Sequence, residues 1–240
     1  MSSAKHWEAE AHRWAAWARA PQHDAYWYYR DAFFALVPPP GRATLEVGVG
    51  EGRVSRDLVA RGHRVTGVDV SPTLARLAAN ADPTSRYLLA DGAMLPFAAG
   101  AFDLVVAYNS LMDVDDMPGV VQEIGRVLSA EGCLGVCITH PLTDAGRFIT
   151  RETEAAFVIE GSYLGRRPYE ATFERAGLRV SFKGWCYPLA AYTQALETAG
   201  FVVEALREPE PAAHAPERMD RYRRIPNFLM LRARKAPPTS

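Results

Sequence analysis

The stretch Leu45–Gly52, which reads LEVGVGEG, decides the fold of this chain. It closes a short apolar run at residues 43–47 and leads into residues 53–61, where Val54 and Leu58 are spaced as on one face of a helix. This order predicts a strand, a tight glycine turn and a helix. Glycines at alternate positions let the backbone bend sharply and approach a ligand closely, because no Cβ intervenes. On its own, the loop is also compatible with a dinucleotide-binding turn or with a turn that binds no ligand.

Strands alternate with helices outward from this loop. We predict strands at residues 63–70, 86–90, 102–108 and 133–139, and helices at 72–79 and 120–128. A helix at 189–199 and strands at 201–207 and 227–234 follow, whereas residues 156–187 favour short antiparallel strands. Such alternation implies right-handed crossovers and a parallel sheet. The predicted fold is α/β: a Rossmann-like, doubly wound, mostly parallel sheet of seven strands.

The composition is that of one globular domain without a strong electrostatic preference. Its 240 residues are 48% hydrophobic and 23% charged, with a formal net charge of -1. Nucleic acids and anionic membranes attract basic surfaces, so we expect neither as a partner. No run approaches the roughly 20 apolar residues that cross a bilayer, which favours a cytoplasmic protein. Cys133, Cys137 and Cys186 lack zinc-ligand spacing, which favours reduced, buried thiols.

Polar residues stand where the predicted strands end. Asp69 ends the second strand about 20 residues after the loop, where an acidic side chain can accept hydrogen bonds from a ribose diol. Asp91 ends the third strand and could accept from an exocyclic amine, or it could form an ordinary turn into Gly92. The fourth strand ends in Tyr108 and Asn109. Because ligands of open α/β sheets bind at the carboxyl edge, this pattern predicts a ligand site there.

Residues 45–137 resemble the class I S-adenosylmethionine-dependent methyltransferase family, and most closely its small-molecule branch. The resemblance implies S-adenosyl-L-methionine as cofactor, S-adenosyl-L-homocysteine as product, a reversed final strand, and a β lid inserted at about residues 150–187. It also implies the cofactor-binding residues: Glu46 at the methionine ammonium; Gly48, Gly50 and Gly52 beneath the cofactor; Asp69 at the ribose; Val70 on the adenine; Asp91 at the adenine amine with Gly92 and Ala93 beside it; and Tyr108 at the methionine portion.

The acceptor site is expected beneath an aromatic N-terminal segment. We predict that residues 1–40 form helices that cap this site and that residues 41–240 form the methyltransferase domain. Aromatic side chains at helical spacing pack on a sheet as often as they line a pocket, so both interpretations are open. The predicted acceptor-binding residues are Tyr26, Trp27, Tyr29, Phe33, Asn109 and His140.

His140 follows the fifth strand and is the predicted general base, because a neutral imidazole can remove a proton near pH 7. Its alternative is a cap at the strand end. Asp113, Asp115 and Asp116 could suggest a metal, but acidic residues before a helix are commonly caps, so we expect no metal. The basic run Arg218, Arg221, Arg223 and Arg224 is typical of a solvated face and less so of a site for an acidic acceptor.

These patterns lead to one functional prediction: methyl transfer to a small-molecule acceptor, an aromatic natural-product intermediate, by in-line displacement. Positioning should dominate catalysis, because holding reactants at near-attack distance can contribute roughly 7 to 11 kcal/mol. The alternatives are methylation of nucleic acid or protein, non-catalytic cofactor binding, and an NAD-type oxidoreductase, for which the glycine spacing is wrong. A monomer and a homodimer are both compatible with the sequence.

Overall fold

The computed structural model of the chain describes residues 2–20 and 23–236. Its centre is a seven-stranded sheet. Smaller antiparallel pairs and helices surround this sheet. The strands are β1 (Thr44–Val47), β2 (Val65–Asp69), β3 (Arg86–Leu89), β4 (Phe102–Tyr108), β5 (Leu128–Thr139), β6 (Gly146–Phe148), β7 (Phe157–Ile159), β8 (Arg167–Arg175), β9 (Leu178–Cys186), β10 (Phe201–Arg207) and β11 (Phe228–Lys235). The helices are α1 (Ser3–Arg19), α2 (Tyr26–Phe34), α3 (Arg53–Ala60), α4 (Pro72–Ala81), α5 (Met117–Val127), α6 (Pro141–Asp144) and α7 (Leu189–Thr198), with a 3₁₀ helix at Glu217–Arg223.

The sheet has the order β10-β11-β5-β4-β1-β2-β3. Strands β1 to β5 run parallel to one another, and β11 runs antiparallel to both β5 and β10. The order in which strands are added to the sheet changes direction between β1 and β4. Ligands of doubly wound sheets bind at this point. The predicted fold class, including the reversed strand, is confirmed.

Helix starts follow local sequence rules. The Ser71 hydroxyl accepts a hydrogen bond from the Leu74 N–H at 3.1 Å and so caps α4, whose first residue is Pro72. The Asp116 carboxyl caps α5 in the same way, accepting from the Gly119 N–H at 3.0 Å. These caps place the amino ends of both helices beside the carboxyl edge of the sheet, next to β2 and β4.

The sheet separates two apolar layers. On one face, α5 and α7 pack on β4 and β5 through buried side chains such as Val120, Ile124 and Leu196. On the other face, α2 and α3 pack on β4, β5 and β11. All three cysteines are free and buried, as predicted. No helix in the described ranges is long and apolar enough to span a membrane.

Helix α1 lies apart from these layers and crosses the carboxyl edge of the sheet. Its Glu8 accepts hydrogen bonds from the Ser71 hydroxyl and from the Thr73 N–H and hydroxyl, at the start of α4. Its Glu10 accepts from the Ser181 N–H of β9 at 3.0 Å. The segment between β5 and α7 forms the antiparallel pairs β6–β7 and β8–β9. Helix α1 is therefore held between the sheet edge and the β8–β9 hairpin.

Candidate functional site

A cavity of 460 Å³ lies at the carboxyl edge of the sheet, within the size range of small-molecule sites. Its floor is formed by the glycine loop and by the ends of β2, β4 and β5. Helix α1, the β8–β9 hairpin and the 3₁₀ helix contribute its remaining walls. The predicted ligand edge therefore coincides with the cavity.

The glycine loop adopts backbone conformations that favour glycine. Gly48 has φ +78°, and a Cβ there would overlap the Ser110 side chain, whose hydroxyl donates to the Val47 carbonyl at 2.7 Å. Gly50 has φ +57°, and a Cβ there would lie 3.1 Å from Nε1 of Trp14 in α1. The loop thus packs closely against Ser110 and α1, and Gly48 and Gly50 line the cavity with their backbone.

Gly52 has a packing role in this structure. It begins α3 with φ +88°, and a Cβ there would lie 3.0 to 3.1 Å from Ala78 of α4. Unlike Gly48 and Gly50, it is not among the residues that line the cavity in the described ranges. The close approach of α3 and α4 explains why a glycine occupies this position. Gly52 was predicted to lie beneath the cofactor, and it lies outside the cavity lining instead.

Asp69 ends β2 against the glycine loop. Its carboxyl oxygens accept hydrogen bonds from the Gly50 N–H at 2.8 Å and from the Ser71 N–H at 2.9 Å. Burial raises its pKa to about 6, and these backbone donors oppose that shift. Each carboxylate oxygen has two lone pairs, so the group can still accept from a diol in the cavity.

Glu46 is a carboxyl buried beneath the loop. It is 1% exposed, and its carboxyl accepts a hydrogen bond from the Ser55 hydroxyl. Burial raises its pKa to about 8, although the Ser55 hydroxyl and the nearby Arg53 guanidinium lower it. A cationic ligand group in this part of the cavity would favour the ionised carboxylate.

Asp91 follows β3 at the rim of the cavity. Its carboxyl accepts from the Ala93 N–H at 2.9 Å, so it forms the turn that the sequence allowed as an alternative. Its side chain also lines the cavity, together with Val70, Gly92 and Ala93. The turn orients the carboxyl and leaves it accessible for a further hydrogen bond.

Tyr108 and Asn109 carry unpaired polar atoms at the end of β4. The Tyr108 hydroxyl and Asn109 Oδ1 are buried and have no hydrogen-bond partner among the described residues. Both side chains line the cavity. Asn109 has φ +50°, a conformation that costs energy for a non-glycine residue and is concentrated at functional sites. These atoms are available to a ligand.

An aromatic cluster forms the roof of the cavity. Phe182 of β9 makes edge-on contacts with Trp7 and Trp14 of α1, at ring-centroid distances of 6.1 and 5.6 Å. Phe173 of β8 contacts Phe182 and Trp17. All five rings line the cavity. Helix α1 belongs to the segment 1–40 that was predicted to cap the site, but Trp7, Trp14 and Trp17 were not among the predicted site residues, although they are spaced to share a helix face.

The aromatic residues of α2 belong to the core. Tyr26, Tyr29 and Phe33 are fully buried among Tyr108 and Phe228 of the sheet, and Trp27 packs partly buried against the same cluster. None of these four lines the cavity in the described ranges. These four side chains therefore lie in the core and away from the cavity in which the acceptor was expected. Their helical spacing reflects packing on the sheet, which was the alternative interpretation.

His140 caps a helix and lies outside the cavity lining. Its Nδ1 accepts from the Leu142 N–H at 3.0 Å, at the start of α6. Its Nε2 lies 2.7 Å from Oε1 of Glu208. Since Nδ1 accepts, the neutral ring donates from Nε2 to Glu208. Thr139 and Asp144 line the cavity but His140 does not. His140 therefore forms the cap that was the alternative interpretation, and it does not line the cavity in which a general base was expected.

The three aspartates after β4 have different surroundings. Asp116 caps α5, and Asp115 accepts from the Ser3 N–H of α1 at 3.1 Å. Asp113 points its carboxyl toward Gly184, where a Cβ would lie 2.8 Å from Oδ1. It lines the cavity together with Asp144 of α6, which the sequence analysis did not identify.

The basic run divides between the cavity and the surface. Arg223 pairs with Glu210 and Asp220, and Arg224 pairs with Glu154. Arg218 and Arg221 instead line the cavity. The solvated-face interpretation therefore applies to Arg223 and Arg224, whereas Arg218 and Arg221 contribute to the cavity wall.

Comparisons with known proteins agree with this geometry. Residues 45–136 match the methyltransferase domain family. A demethylmenaquinone methyltransferase of Tropheryma whipplei is 34% identical over 122 residues, which cover 49% of this chain and 50% of that protein. A nocamycin O-methyltransferase of Saccharothrix syringae is 29% identical over 174 residues, which cover 69% of this chain and 61% of that protein. The chain thus spans about half to three fifths of the length of these relatives.

The fold is also similar to solved structures. An S-adenosylmethionine-dependent methyltransferase from Mesorhizobium loti matches with a TM-score of 0.70 and 23% identity, over 88% of this chain and 98% of that chain. At this identity the similarity establishes the fold alone. It extends beyond the segment matched by sequence, to most of the chain.

Proposed function

We propose that this chain, which belongs through residues 45–136 to the class I S-adenosylmethionine-dependent methyltransferase family, transfers a methyl group to a small molecule bound in its cavity. One observation carries the proposal: the glycine loop and the carboxyls of Glu46, Asp69 and Asp91 line the same wall of one cavity. Bound there, S-adenosylmethionine would supply an electrophilic methyl group on a sulfonium.

The residues of this wall fit such a cofactor by charge and by hydrogen bonding. Glu46 would hold the methionine ammonium, because a buried carboxyl with a raised pKa gains most from a cationic partner. Asp69 would accept from the ribose diol, since backbone N–H groups already fix both of its oxygens in place. Asp91 would accept from the adenine amine, and Val70 would contact the adenine ring. Gly48 and Gly50 let the backbone approach closely.

Helix α1 and the β8–β9 hairpin would close the site. The Glu51 carboxylate of the glycine loop forms salt bridges with Arg19 of α1 and Arg56 of α3, at N–O distances of 2.7 and 2.8 Å. Together with the hydrogen bonds of Glu8, this ties both ends of α1 to the cofactor wall. A closed aromatic roof excludes water and strengthens electrostatic interactions beneath it. We assign the capping role predicted for residues 1–40 to α1 and not to α2.

The acceptor is a small molecule in this proposal. A cavity of 460 Å³ has the size of a small-molecule site, and the net charge of -1 offers little attraction for nucleic acid. The aromatic rings of α1 and the hairpin would stack on a planar acceptor. Similarity to a nocamycin O-methyltransferase supports a natural-product intermediate as the acceptor class, and the aromatic roof of the cavity favours an aromatic one.

Calorimetric titration with S-adenosylhomocysteine tests the proposal on the wild type and on Asp69→Ala. We expect micromolar affinity in the wild type and loss of detectable binding in the variant. Asp103→Ala is the matched control, because Asp103 also accepts backbone N–H bonds, from Arg42 and Ala43, but at the amino end of a strand. It should lose stability and retain binding.

Two results would contradict the proposal. The first is a folded wild type that gives no heat with either S-adenosylmethionine or S-adenosylhomocysteine. The second is equal affinity in the wild type and Asp69→Ala, which would separate the ligand from the glycine-loop wall. Nicotinamide cofactors would then be the next ligands to titrate.

A further inference from the structure

Asp113 and Asp144 form an acidic wall of the cavity that the cofactor site does not use. Asp113 follows β4, Asp144 ends α6 after β5, and both side chains line the cavity. The Asp144 carboxyl accepts from the Thr139 hydroxyl at 2.9 Å. Within residues 2–20 and 23–236, Asp113 accepts a hydrogen bond at its backbone carbonyl, from the Ser3 hydroxyl, and none at its carboxyl.

The surroundings of this acidic wall make ionised carboxylates costly. Burial raises the pKa of Asp113 well above its usual range, and the neighbouring Asp144 raises it further. Burial raises the pKa of Asp144 to about 6, while Thr139 and Arg167 lower it. The Arg167 guanidinium donates to the Asp144 carbonyl. Two carboxyls in a closed cavity repel each other, and a cation between them would relieve both that repulsion and the cost of desolvation.

Two further acceptor or hydroxyl groups in the same cavity lack partners. Asn109 Oδ1 and the Tyr108 hydroxyl are buried and unpaired among the described residues, and Tyr108 is only 5% exposed. Leaving a buried polar atom unpaired destabilises the fold, so such atoms indicate a missing partner. The Asn109 amide oxygen can only accept. Together with the two carboxyls, it requires hydrogen-bond donors on the ligand.

Three arginines of the cavity contact rings or a carbonyl, and Arg221 Nε is a buried donor without a hydrogen-bond partner among the described residues. Arg175 donates to the His23 carbonyl at 2.8 Å. Arg218 lies over the Tyr28 ring, and Arg221 lies over Phe148 and Tyr222 at 5.2 and 5.3 Å. These contacts place the guanidinium charges on rings and a carbonyl and do not pair them with Asp113 or Asp144. The acidic wall therefore lacks a cationic partner of its own, apart from the influence of Arg167 on Asp144.

We propose that the acceptor carries a basic nitrogen, which Asp113 and Asp144 bind as an ammonium. This inference rests on the proposed function, because the ammonium belongs to the molecule that would receive the methyl group. The ammonium donates hydrogen bonds to the two carboxylates, and Asn109 Oδ1 is the third acceptor in the cavity. The Tyr169 hydroxyl lies near both carboxyls, and its side chain lines the cavity. The acidic wall thus selects the acceptor by charge.

Three small probes of similar shape test this assignment on protein saturated with S-adenosylhomocysteine. They are phenethylamine, a cation; 2-phenylethanol, its neutral counterpart; and 3-phenylpropionate, an anion. Calorimetry at pH 7.5 should give phenethylamine at least tenfold higher affinity than either other probe. Asp113→Asn and Asp144→Asn should each weaken phenethylamine at least tenfold and change 2-phenylethanol less than twofold. The control Asp31→Asn should change neither, because Asp31 is exposed on α2 and does not line the cavity in the described ranges.

Each contrary result overturns the assignment. Equal affinity for the amine and the alcohol would show that the site does not discriminate between a cation and a neutral molecule. Tightest binding of 3-phenylpropionate would show that the arginines select an anion. Unchanged amine affinity in Asp113→Asn and Asp144→Asn, or no amine binding to the loaded wild type at millimolar concentration, would also overturn it. Failure of the proposed function is distinguished beforehand, because S-adenosylhomocysteine itself would then not bind.

Discussion

The two sides of the cavity are built in different ways. The cofactor side consists of short segments in sequence order, in which each carboxyl is held by a nearby loop or helix: Asp69 by Gly50 and Ser71, and Glu46 by Ser55. The acceptor side brings together distant segments, such as Trp14 of α1 and Phe182 of β9. In the described part of the chain, Asn109 Oδ1 has no hydrogen-bond partner and the Asp113 carboxyl accepts no hydrogen bond. The cofactor side is therefore preorganised by local structure, whereas the acceptor side depends on tertiary packing and on its ligand.

Gly48→Ala should weaken binding at the cofactor side more than any other variant. The new Cβ would meet Ser110 in a left-handed conformation of φ +78°. We expect at least a 100-fold loss of S-adenosylhomocysteine affinity and a loss of about 2 to 4 kcal/mol in the free energy of unfolding. Calorimetry and urea denaturation measure these changes. Gly177→Ala is the control, since Gly177 also has φ +78° but has no atom within 4 Å of its added Cβ. Equal effects in both variants would refute the steric explanation.

The pH dependence of stability should reveal the burial of Glu46. Its pKa is about 8 in the folded chain against an ordinary value of 4.5, so its stabilising contribution is complete below pH 4.5 and is lost as the pH rises to 8. Relative to Glu46→Gln, the wild type should lose roughly 3 to 5 kcal/mol of unfolding free energy between pH 5 and pH 8. Urea denaturation of both proteins at three pH values checks this. Parallel pH profiles would mean that Glu46 stays ionised.

Ligand binding should couple to the same proton. If the methionine ammonium pairs with Glu46, binding lowers the pKa of Glu46 and releases a proton near pH 7. The binding enthalpy of S-adenosylhomocysteine in the wild type should then vary with the ionisation enthalpy of the buffer. The dependence should weaken in Glu46→Gln. An identical buffer dependence in both proteins would place the ammonium elsewhere.

Trp14→Ala sharpens the contrast between the two N-terminal helices. Trp14 lines the cavity above Gly50, and the Arg53 guanidinium lies 4.9 Å from its ring. We expect S-adenosylhomocysteine affinity to fall about tenfold, mainly through faster dissociation, because aromatic contacts of this kind contribute on the order of 1 kcal/mol. Trp27→Ala in α2 is the control and should lower stability without changing affinity. If Trp27→Ala lowered the affinity and Trp14→Ala did not, α2 and not α1 would cap the site.

His140→Ala should have the smallest effect on binding. The variant loses a helix cap, which costs about 1 kcal/mol, and leaves the cavity lining intact. The affinities for S-adenosylhomocysteine and phenethylamine should stay within twofold of the wild type, while the thermal midpoint falls by a few degrees. A tenfold change in either affinity would restore His140 to the site.

The differences between sequence and structure lie mostly on the acceptor side. Helical spacing identified the apolar face of Tyr26, Tyr29 and Phe33 but not the surface that it covers, and this face packs in the core. The contact of His140 could not be foreseen, because its partner, Glu208, is remote in sequence. The polar strand ends, by contrast, lie at the cavity. Nine of the ten residues predicted for the cofactor line the cavity, the exception being Gly52.

The sequence by itself determined the order of strands and helices, the position of the glycine turn and the carboxyls at the ends of β2 and β3. Periodicity, turn chemistry and capping depend on residues that are close in sequence, so the sequence alone reveals them. Only the tertiary structure decided that α1 covers the cavity, that α2 is core, and that Asp113 and Asp144 share a wall. Such contacts depend on how the β8–β9 hairpin and both N-terminal helices pack against the sheet, which no local pattern records.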